Sequence, residues 1–433
     1  MIVKRNKKQR VVIVGAGLTG LSGAYQLLKL GYAVTLLEKN IEPGGLAESF
    51  TSNKWGWKLE KFYHHWFAND RSALNLAKEI GHRVIFEKPK TDIFYRDKNF
   101  SFDSPLSIIT FPFFSLIDKI RLGGALGYLK FVNNYRKLES VLALPWMNKW
   151  MGKTVTAIVW DPLFRGKFSK FRSKISLVWF WARIKKRTAT LAYPEGGFAS
   201  FTGTLMRKIR ESGGQIMLEE QVTNIKKKRG EFVITTKKRV ILRADKILVT
   251  TPSSVMTKLF TDFPASYRCK LQNIKHLSAQ VLILILDKQF MKQTYWLNLT
   301  DRNSPFVGVV EHTNFMNSSH YGGQHIVYVG NYLPDDHNYL KMSAKEMLGI
   351  FDNQLTKINP NYRKHLLDVK LFNMPDAQPI VNVGYRNRLP PMLTPIKNIY
   401  FANMDMVYPW DRGTNYAISM GEIAAKKIAE STK

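Results

Sequence analysis

The sequence is poor in cysteine, in acidic residues and in long apolar runs. Cys269 is its single cysteine, which excludes an intramolecular disulfide and argues against a cysteine-ligated cluster, so no metal is expected. No apolar stretch reaches the roughly 18 uninterrupted residues of a membrane-spanning helix. The apolar run after the basic N-terminus, about four residues long, is too short for a secretion signal. We therefore expect a cytoplasmic protein that is either dissolved or bound peripherally to a membrane surface.

Basic residues outnumber acidic ones almost two to one. The chain has 65 Lys and Arg against 33 Asp and Glu, a formal net charge of +32. Such a charge favours anionic partners, although a general bias toward lysine is an alternative explanation. The basic residues recur along the whole chain and form no nucleic-acid-binding module, so no specific nucleic acid is expected. A lipophilic or phosphorylated small-molecule substrate and an anionic membrane surface are the candidate partners.

The clearest motif occupies residues 11–45, VVIVGAGLTGLSGAYQLLKLGYAVTLLEKNIEPGG. A short apolar run, Val11–Val14, ends in the glycine-rich turn at 15–20, and an amphipathic stretch continues to Leu30. A second apolar run covers Ala33–Leu37. This pattern predicts a strand, a tight turn, a helix and a second strand, which is the arrangement that binds a dinucleotide.

The glycines occupy the positions that a dinucleotide requires. Gly15 permits the sharp turn, Gly17 lets the backbone approach a pyrophosphate, and Gly20 lets the helix pack closely on the strand. We expect the pyrophosphate at the helix N-terminus, where Leu18 and Thr19 offer backbone N–H groups.

An acidic residue, Glu38, closes the second predicted strand. An acid at this place accepts hydrogen bonds from a ribose 2′-OH, which favours FAD or NAD over NADP. A second glycine pair, Gly44-Gly45, follows shortly after it. This combination resembles the FAD-dependent oxidoreductase superfamily, which includes flavin amine oxidases, protoporphyrinogen oxidase, phytoene desaturases and UDP-galactopyranose mutase. The resemblance implies FAD as the cofactor, with further contacts from Lys39, Leu46 and Ala47.

The same resemblance assigns roles further along the chain. The segment Glu220-Gln221-Val222 is implied to pass the adenine, with the backbone of Val222 in contact with it. The stretch 215–242 predicts a small β-meander, and Ala244–Thr251 predicts a strand that returns the chain to the main sheet. The segment Tyr193–Phe198, YPEGGF, resembles the P-x-G-G motif that many members carry.

The C-terminal region resembles the flavin signature of the superfamily. Asn398–Asp405 predicts a strand that ends in an acid, and a glycine-bearing loop then enters a helix. The resemblance implies that Asp405 hydrogen-bonds the ribityl or pyrophosphate region. N–H groups at the helix start are implied to stabilise negative charge at flavin N1/O2, and they belong to Gly413, Thr414, Asn415 and Tyr416.

Candidate catalytic residues lie in the segment 55–67, WGWKLEKFYHHWF. Tyr63, His64 and His65 resemble the histidine-bearing stretch that UDP-galactopyranose mutases place beside the isoalloxazine ring. The alternative is that one histidine is hydrogen-bonded in the core while the other is exposed.

Two aromatic and basic stretches lie in the middle of the chain. The first, residues 105–137, has an apolar run flanked by cations. We expect it to be buried in the helical part of a substrate domain, with contact to a membrane interface as the alternative. The second, residues 144–187, is rich in tryptophan, which suits either a substrate cavity or a surface.

The resemblance implies an α/β fold with two domains, as the chain length also suggests. A Rossmann-type FAD-binding domain of the glutathione reductase-like class would combine residues 1–70, 190–265 and 385–433. A substrate domain of α+β type, with an antiparallel sheet and a helical part, would combine residues 71–189 and 266–384.

The predicted strand Leu277–Leu286 departs from the flavin amine oxidases. Those enzymes have a lysine here, whereas this chain has Ala279, Gln280 and Val281 at the matching positions. Amine oxidation is therefore in doubt. We expect an FAD-dependent oxidase or desaturase that transfers a hydride from a large lipophilic substrate to flavin N5. The alternative is a non-redox flavoenzyme that resembles UDP-galactopyranose mutase and acts on a nucleotide- or lipid-linked sugar.

Overall fold

The computed structural model describes residues 8–431, so residues 1–7 and 432–433 of the first and last domain segments lie outside the described part. Its strands, in chain order, are β1 Arg10–Val14, β2 Ala33–Leu37, β3 Ser49–Phe50, β4 Leu59–Glu60, β5 Trp66–Phe67, β6 Val84–Glu87, β7 Lys90–Tyr95, β8 Lys98–Ser101, β9 Leu191–Pro194, β10 Gln215–Met217, β11 Val222–Lys228, β12 Glu231–Thr236, β13 Ile241–Ala244, β14 Lys246–Val249, β15 His276–Leu286, β16 Thr294–Leu299, β17 Gly308–Glu311, β18 His325–Leu333, β19 Leu366–Pro379 and β20 Ile399–Phe401.

The α-helices of the described residues, in chain order, are α1 Leu18–Lys29, α2 Arg71–Glu79, α3 Pro105–Ile109, α4 Leu116–Phe131, α5 Ala143–Trp150, α6 Lys153–Val155, α7 Asp161–Phe168, α8 Leu177–Lys186, α9 Gly197–Glu211, α10 Ser253–Leu259, α11 Ala265–Gln272, α12 Ala344–Ile358, α13 Tyr385–Arg388 and α14 Thr414–Glu430. Helices α3 to α8 follow one another along the chain and pack around one apolar core.

A five-stranded parallel sheet brings together three distant parts of the chain. Its order is β10-β2-β1-β14-β20, with β1 paired on both sides by β2 and β14. The buried apolar run of β1 suits this central position, because both faces of a parallel sheet are covered. The predicted strands at Val11–Val14 and Ala33–Leu37 are confirmed, as is the return of the chain to this sheet through β14.

The predicted β-meander is wrong in its first strand. Residues 215–217 form β10, which pairs in parallel with β2 at the sheet edge. Only β11, β12 and β13 form the three-stranded antiparallel sheet. The reason is that α9 precedes β10, and a strand that follows a helical crossover returns parallel to its neighbour.

Glycines allow α1 to pack closely on its neighbours. A Cβ on Gly20 would lie 1.9 Å from the Gly15 carbonyl oxygen, and a Cβ on Gly421 of α14 would lie 2.3 Å from the Thr19 carbonyl oxygen. Backbone atoms therefore occupy the space that any larger residue would need. This contact holds α1 between the parallel sheet and α14.

The second large sheet has seven strands in the order β19-β15-β18-β17-β16-β7-β8. The apolar strand predicted at Leu277–Leu286 corresponds to β15 and is hydrogen-bonded on both sides. The prediction of an antiparallel sheet is wrong for one pair, because β7 runs parallel to β16. These two strands belong to chain segments separated by the whole helical part, and such a long connection permits parallel pairing.

Residues 105–137 are less buried than expected. One face of α4 packs inward through Leu122, Ala125 and Leu129, whereas large apolar side chains on its other face and on α3 are exposed. They are Leu106, Ile109, Leu116, Ile117, Ile120, Tyr128 and Phe131. Among residues 8–431, no helix is both long enough and apolar enough to cross a membrane.

We predict that Gly421→Ala destabilises the protein. The added methyl group would meet the Thr19 carbonyl oxygen at 2.3 Å and the Gly23 nitrogen at 2.7 Å, and backbone shifts of this kind cost about 1–3 kcal/mol. The control is Gly349→Ala in α12, where a Cβ meets no atom within 4 Å and alanine favours the helix. Thermal unfolding should show a lower midpoint for Gly421→Ala only; equal midpoints would contradict the prediction.

Candidate active site

The turn between β1 and α1 has the geometry expected of the N-terminal motif. Gly15 has a φ of +108°, in the region that favours glycine. Gly17 caps α1 without any side-chain hydrogen bond to the first turn. The positive end of the helix dipole therefore meets no side-chain acceptor from its cap, which suits an anion.

The two glycine-rich segments predicted to contact one cofactor lie against each other. The Gly44 N–H donates to the Ala16 carbonyl at 2.9 Å, and Gly17 and Gly44 form an isolated parallel bridge. A Cβ on Gly45 would lie 3.3 Å from the Gly17 Cα. Leu46 and Ala47 follow in a short 3-10 turn. Any side chain here would narrow the space between the two loops.

Glu38 is buried immediately after β2. Its carboxylate accepts hydrogen bonds from the Ala16 N–H at 2.8 Å and the Asn40 N–H at 3.0 Å, while Lys39 is exposed. The Glu220 N–H donates to the Glu38 carbonyl at 2.7 Å. The segment that leads to Val222, the first residue of β11, is thereby fixed beside the end of β2.

Asp405 lies in a 3-10 turn rather than at the end of a strand, because β20 already ends at Phe401. Its carboxylate accepts hydrogen bonds from Ser253 at 2.5 Å and Asn403 at 3.1 Å, and it pairs with the His276 ring at 2.5 Å. Burial raises the pKa of Asp405, but the contacts with His276, Ser253 and Asn403 together outweigh this effect and leave the pKa lowered. Protein groups thus already bond both carboxylate oxygens.

The start of α14 lies close to the candidate catalytic segment. Gly413 caps the helix without a side-chain bond. The Thr414 hydroxyl accepts from the Trp66 indole at 2.8 Å, and the Asn415 side chain accepts from the Ala73 N–H at 3.1 Å. The Tyr416 ring stacks on Trp410. A cofactor at this helix start would therefore meet backbone groups.

Tyr63, His64 and His65 follow β4 in an irregular segment before β5. His64 Nδ1 lies 2.6 Å from the Phe62 carbonyl and His65 Nδ1 lies 3.1 Å from the Tyr295 hydroxyl. Burial lowers the pKa of His64 to about 4 and that of His65 to about 3. Both imidazoles are therefore neutral at pH 7.

These side chains are half-buried. Burial raises the pKa of Tyr63 well above its usual range, and Tyr63, His64 and His65 all keep part of their surface accessible. The sequence alternative of one core and one exposed histidine is therefore wrong, since both are half-buried and hydrogen-bonded.

Sequence reasoning missed the charged groups beside Tyr63. The Tyr63 hydroxyl lies 3.5 Å from that of Tyr332, which the Arg412 guanidinium contacts. The Lys167 ammonium lies 5.0 Å from the centroid of the Tyr332 ring. The only sequence signal was the Trp-rich basic stretch at 144–187, which contains Lys167.

Glu60 links β4 to the Tyr193–Phe198 motif. Its fully buried carboxylate accepts from the Tyr193 hydroxyl at 2.7 Å and the Phe198 N–H at 2.8 Å. A Cβ on Gly197 would lie 2.8 Å from the Lys58 carbonyl, so the glycine permits this approach. Burial raises the pKa of Glu60 to about 7, although both hydrogen bonds act to lower it.

The chain belongs to the family of flavin-containing amine oxidoreductases, whose family model matches residues 18–429. Membership implies FAD as the cofactor and an oxidoreductase as the class of enzyme. Curated relatives match over a short segment only. The L-amino-acid oxidase BjussuLAAO-I of Bothrops jararacussu is 49% identical over 49 residues, which is 11% of this chain and 10% of that protein. The matched segment thus spans about a tenth of such relatives.

Solved structures resemble the chain over nearly its whole length. A candidate protoporphyrinogen oxidase from Exiguobacterium sp. 255-15 has a TM-score of 0.75 at 17% identity, covering 97% of this chain and 98% of that one. The cyclohexylamine oxidase from Brevibacterium oxydans IH-35A has a TM-score of 0.75 at 14% identity, covering 98% and 99%. At these identities the similarity establishes the fold alone.

The residues of this chain fit an FAD molecule. The facing loops at Gly17 and Gly44 leave a side-chain-free approach, and the adjacent start of α1 has no side-chain cap. These features suit a pyrophosphate. The buried Glu38 stands beside them at the end of β2, where an acid can bind a ribose.

We predict that Glu60→Gln makes thermal stability less dependent on pH. Because the folded pKa, about 7, exceeds the unfolded value, protonated Glu60 stabilises the fold below about pH 4.5. This contribution, about 3 kcal/mol, is lost as the pH rises toward 7. The difference in unfolding midpoint between about pH 5 and about pH 8 should be smaller in Glu60→Gln than in the unchanged protein. The exposed Glu87→Gln is the control, and an unchanged difference in Glu60→Gln would contradict the prediction.

Proposed function

We propose that the protein is an oxidase or desaturase that removes a hydride from a C–H bond of a large lipophilic substrate, while a neighbouring C–H or N–H bond loses a proton. The observation that carries this proposal is the desolvated, aromatic wall beside the two neutral histidines. Tyr63 packs edge-on against Trp296 with ring centroids 4.8 Å apart, and Tyr332 adjoins it. FAD supplies the acceptor for the hydride when it is bound.

The protein groups would act by positioning and by excluding water. Neutral His64 and His65 do not attract a cation or hold a readily lost proton at pH 7, so the proton that the substrate loses with the hydride would pass to solvent. The aromatic rings would hold an apolar substrate by burial of its surface. The family match does not favour the sugar mutase alternative.

We further propose the division into domains that the sequence indicated. Residues 1–70, 190–265 and 385–433 would form the Rossmann-type FAD-binding domain, since every strand of the five-stranded parallel sheet falls in these segments. Residues 71–189 and 266–384 would form the substrate domain, which contains the seven-stranded sheet.

The cofactor contacts would come mainly from backbone groups. The pyrophosphate would lie against Gly15, Gly17, Leu18, Thr19 and Gly20, and the ribose against Glu38. The loop at Gly44 and Gly45, the backbone of Val222 and the start of α14 would complete the site. Asp405 would act at a distance, because Ser253, Asn403 and His276 all bond its carboxylate. Glu38 accepts one backbone hydrogen bond at each oxygen and keeps a lone pair on each for the ribose.

We predict that a lipophilic isoprenoid or a porphyrinogen bleaches the flavin absorbance of the FAD-reconstituted protein in the absence of oxygen. Gly17→Val is the matched control, since the added side chain would enter the space between the two glycine loops. It should weaken FAD binding by about tenfold or more, about 1.4 kcal/mol. Failure of every such substrate to reduce the flavin would refute the proposal. Turnover that needs pre-reduced flavin and no electron acceptor would support a mutase instead.

We also propose that the exposed apolar face of α3 and α4 rests on an anionic lipid surface. In α4 the exposed residues Ile117, Ile120, Tyr128 and Phe131 share one side of the helix. Residues 105–153 contain seven basic and two acidic residues. An apolar face bordered by cations has the composition of a helix that lies in the headgroup region.

We predict that Ile120→Glu weakens binding to phosphatidylglycerol vesicles by about tenfold or more, because an apolar side chain that enters the bilayer boundary contributes about 1.5–3 kcal/mol. Ile241→Glu is a matched control, since Ile120 and Ile241 are 65% and 66% exposed but Ile241 lies on β13. Co-sedimentation measures both. Equal binding of the two variants, or equal binding of the protein to phosphatidylcholine vesicles, would contradict the proposal.

A further inference from the structure

Three cationic side chains gather around a single carboxylate beside the candidate catalytic segment, and a fourth follows one of them on the same stretch of chain. We call Lys167, Arg183, Arg187 and Arg412 the basic cluster, and the carboxylate belongs to Asp411. Lys167 lies on α7, Arg183 lies on α8, Arg187 immediately follows α8, and Arg412 precedes α14. The cluster is therefore assembled from three separate parts of the chain.

Asp411 is shared among more groups than it can neutralise. It lies 3.6 Å from Arg183 and 4.0 Å from Lys167. It also accepts hydrogen bonds from the Trp179 indole and the Arg412 N–H, each at 3.0 Å. The guanidinium of Arg412 contacts neutral groups, with its Nε donating to Gln378 at 2.8 Å and its NH2 contacting Tyr332.

Arg187 makes no ion pair within 4 Å with any carboxylate of residues 8–431. Arg187 is exposed at the end of α8, whereas Arg183, His64, His65 and Tyr63 are half-buried. Arg187 and Arg183 both act on the pKa of His65, and Arg412 acts on that of His64. The contacts from Tyr63 to Tyr332 and from Tyr332 to Arg412 connect the basic cluster with the candidate catalytic segment.

Buried and half-buried cations that share a single carboxylate destabilise a fold unless an anion completes the site. Guanidinium groups bind carboxylate and phosphate oxygens through paired N–H donors. We propose that the basic cluster binds an oxyanionic group of the substrate, a carboxylate or a phosphate, and thereby fixes the apolar remainder beside His64 and His65. This inference rests on the proposed function and names the chemical class of its substrate.

The walls around the basic cluster suit an amphiphile with an anionic end. The Arg183 guanidinium lies 5.3 Å from the Trp179 ring centroid, and the Lys167 ammonium lies 5.5 Å from it. The Lys130 ammonium of α4 donates to the carbonyl groups of Ile184 and Lys185. One helix, α8, thus connects the exposed apolar face of α4 with the basic cluster.

The phosphates of FAD are the other source of oxyanions. The glycine loops at Gly17 and Gly44 already offer a pyrophosphate site, and the basic cluster contains none of their residues. If FAD instead occupied the basic cluster, removal of Arg187 would lower FAD content. If the substrate occupies the basic cluster, removal of Arg187 leaves FAD content unchanged and weakens only the binding of the added anion.

The charge of the basic cluster should depend on pH. Burial lowers the pKa of Lys167 to about 8, against the opposing effects of Tyr332 and Asp411, while Arg412 and Arg183 lower it further. Burial opposes ionisation of Tyr332, but Arg412 and Lys167 lower its pKa to about 8. Above about pH 8, Lys167 loses its positive charge and Tyr332 gains a negative charge. Anion binding should therefore weaken as the pH rises through this value.

The test compares octanoate, octyl phosphate, octanol and octylamine as probes of the FAD-loaded protein. Binding is followed by the change in the flavin absorption spectrum and by the rise in thermal midpoint, neither of which requires turnover. We expect octanoate or octyl phosphate to bind at least about tenfold more tightly than octanol and octylamine, and less tightly above pH 8.

The variants are Arg187→Met and Arg183→Met, with the exposed Arg207→Met on α9 as the control. We expect affinity for the anionic probes to fall about tenfold or more in the first two only, with FAD content unchanged in all three. Equal or tighter binding of octylamine, unchanged affinity in Arg187→Met, or loss of FAD from that variant would each overturn the inference. Failure of the proposed redox function would appear separately, as anion binding without flavin reduction.

Discussion

Close approach of backbones holds α1 against the β1 turn and against α14, where the small Ser22 hydroxyl also hydrogen-bonds the Ile418 carbonyl. Gly20 faces the Gly15 carbonyl and Gly421 faces the Thr19 carbonyl. This contact sets the height of the first turn of α1 above the parallel sheet. The direction in which its free N–H groups point, and hence the candidate pyrophosphate site, depends on it.

Three buried or half-buried carboxylates differ in the protein groups that compensate for their loss of water. Glu60 has only neutral donors, so burial raises its pKa. Asp405 has His276, and Asp411 has several cations, so the pKa of each is lowered despite burial. Glu60, away from the cations, joins β4 to the Tyr193–Phe198 motif, whereas Asp411, among the cations, leaves a surplus of positive charge near Tyr63. That surplus distinguishes the candidate substrate site from the rest of the interior.

The sequence predicted the parts of the fold that short-range patterns determine. The turn at Gly15, the helix α1 and the strand β2 lie within one continuous stretch, so their spacing alone indicates their arrangement. The basic cluster could not be predicted in this way, because Lys167, Arg183 and Arg412 approach one another only through tertiary packing. The same limit explains β10, whose pairing with β2 depends on a crossover rather than on its own three residues, and Asp405, whose partner His276 is distant in sequence.

The order of strands in the parallel sheet also bears on how the chain is made. The central strand β1 is synthesised well before its neighbour β14, which follows more than two hundred residues later, and before β20, which follows later still. Until β14 is synthesised, one edge of β1 lacks its partner strand. Such non-local pairing slows folding and prolongs the exposure of aggregation-prone intermediates.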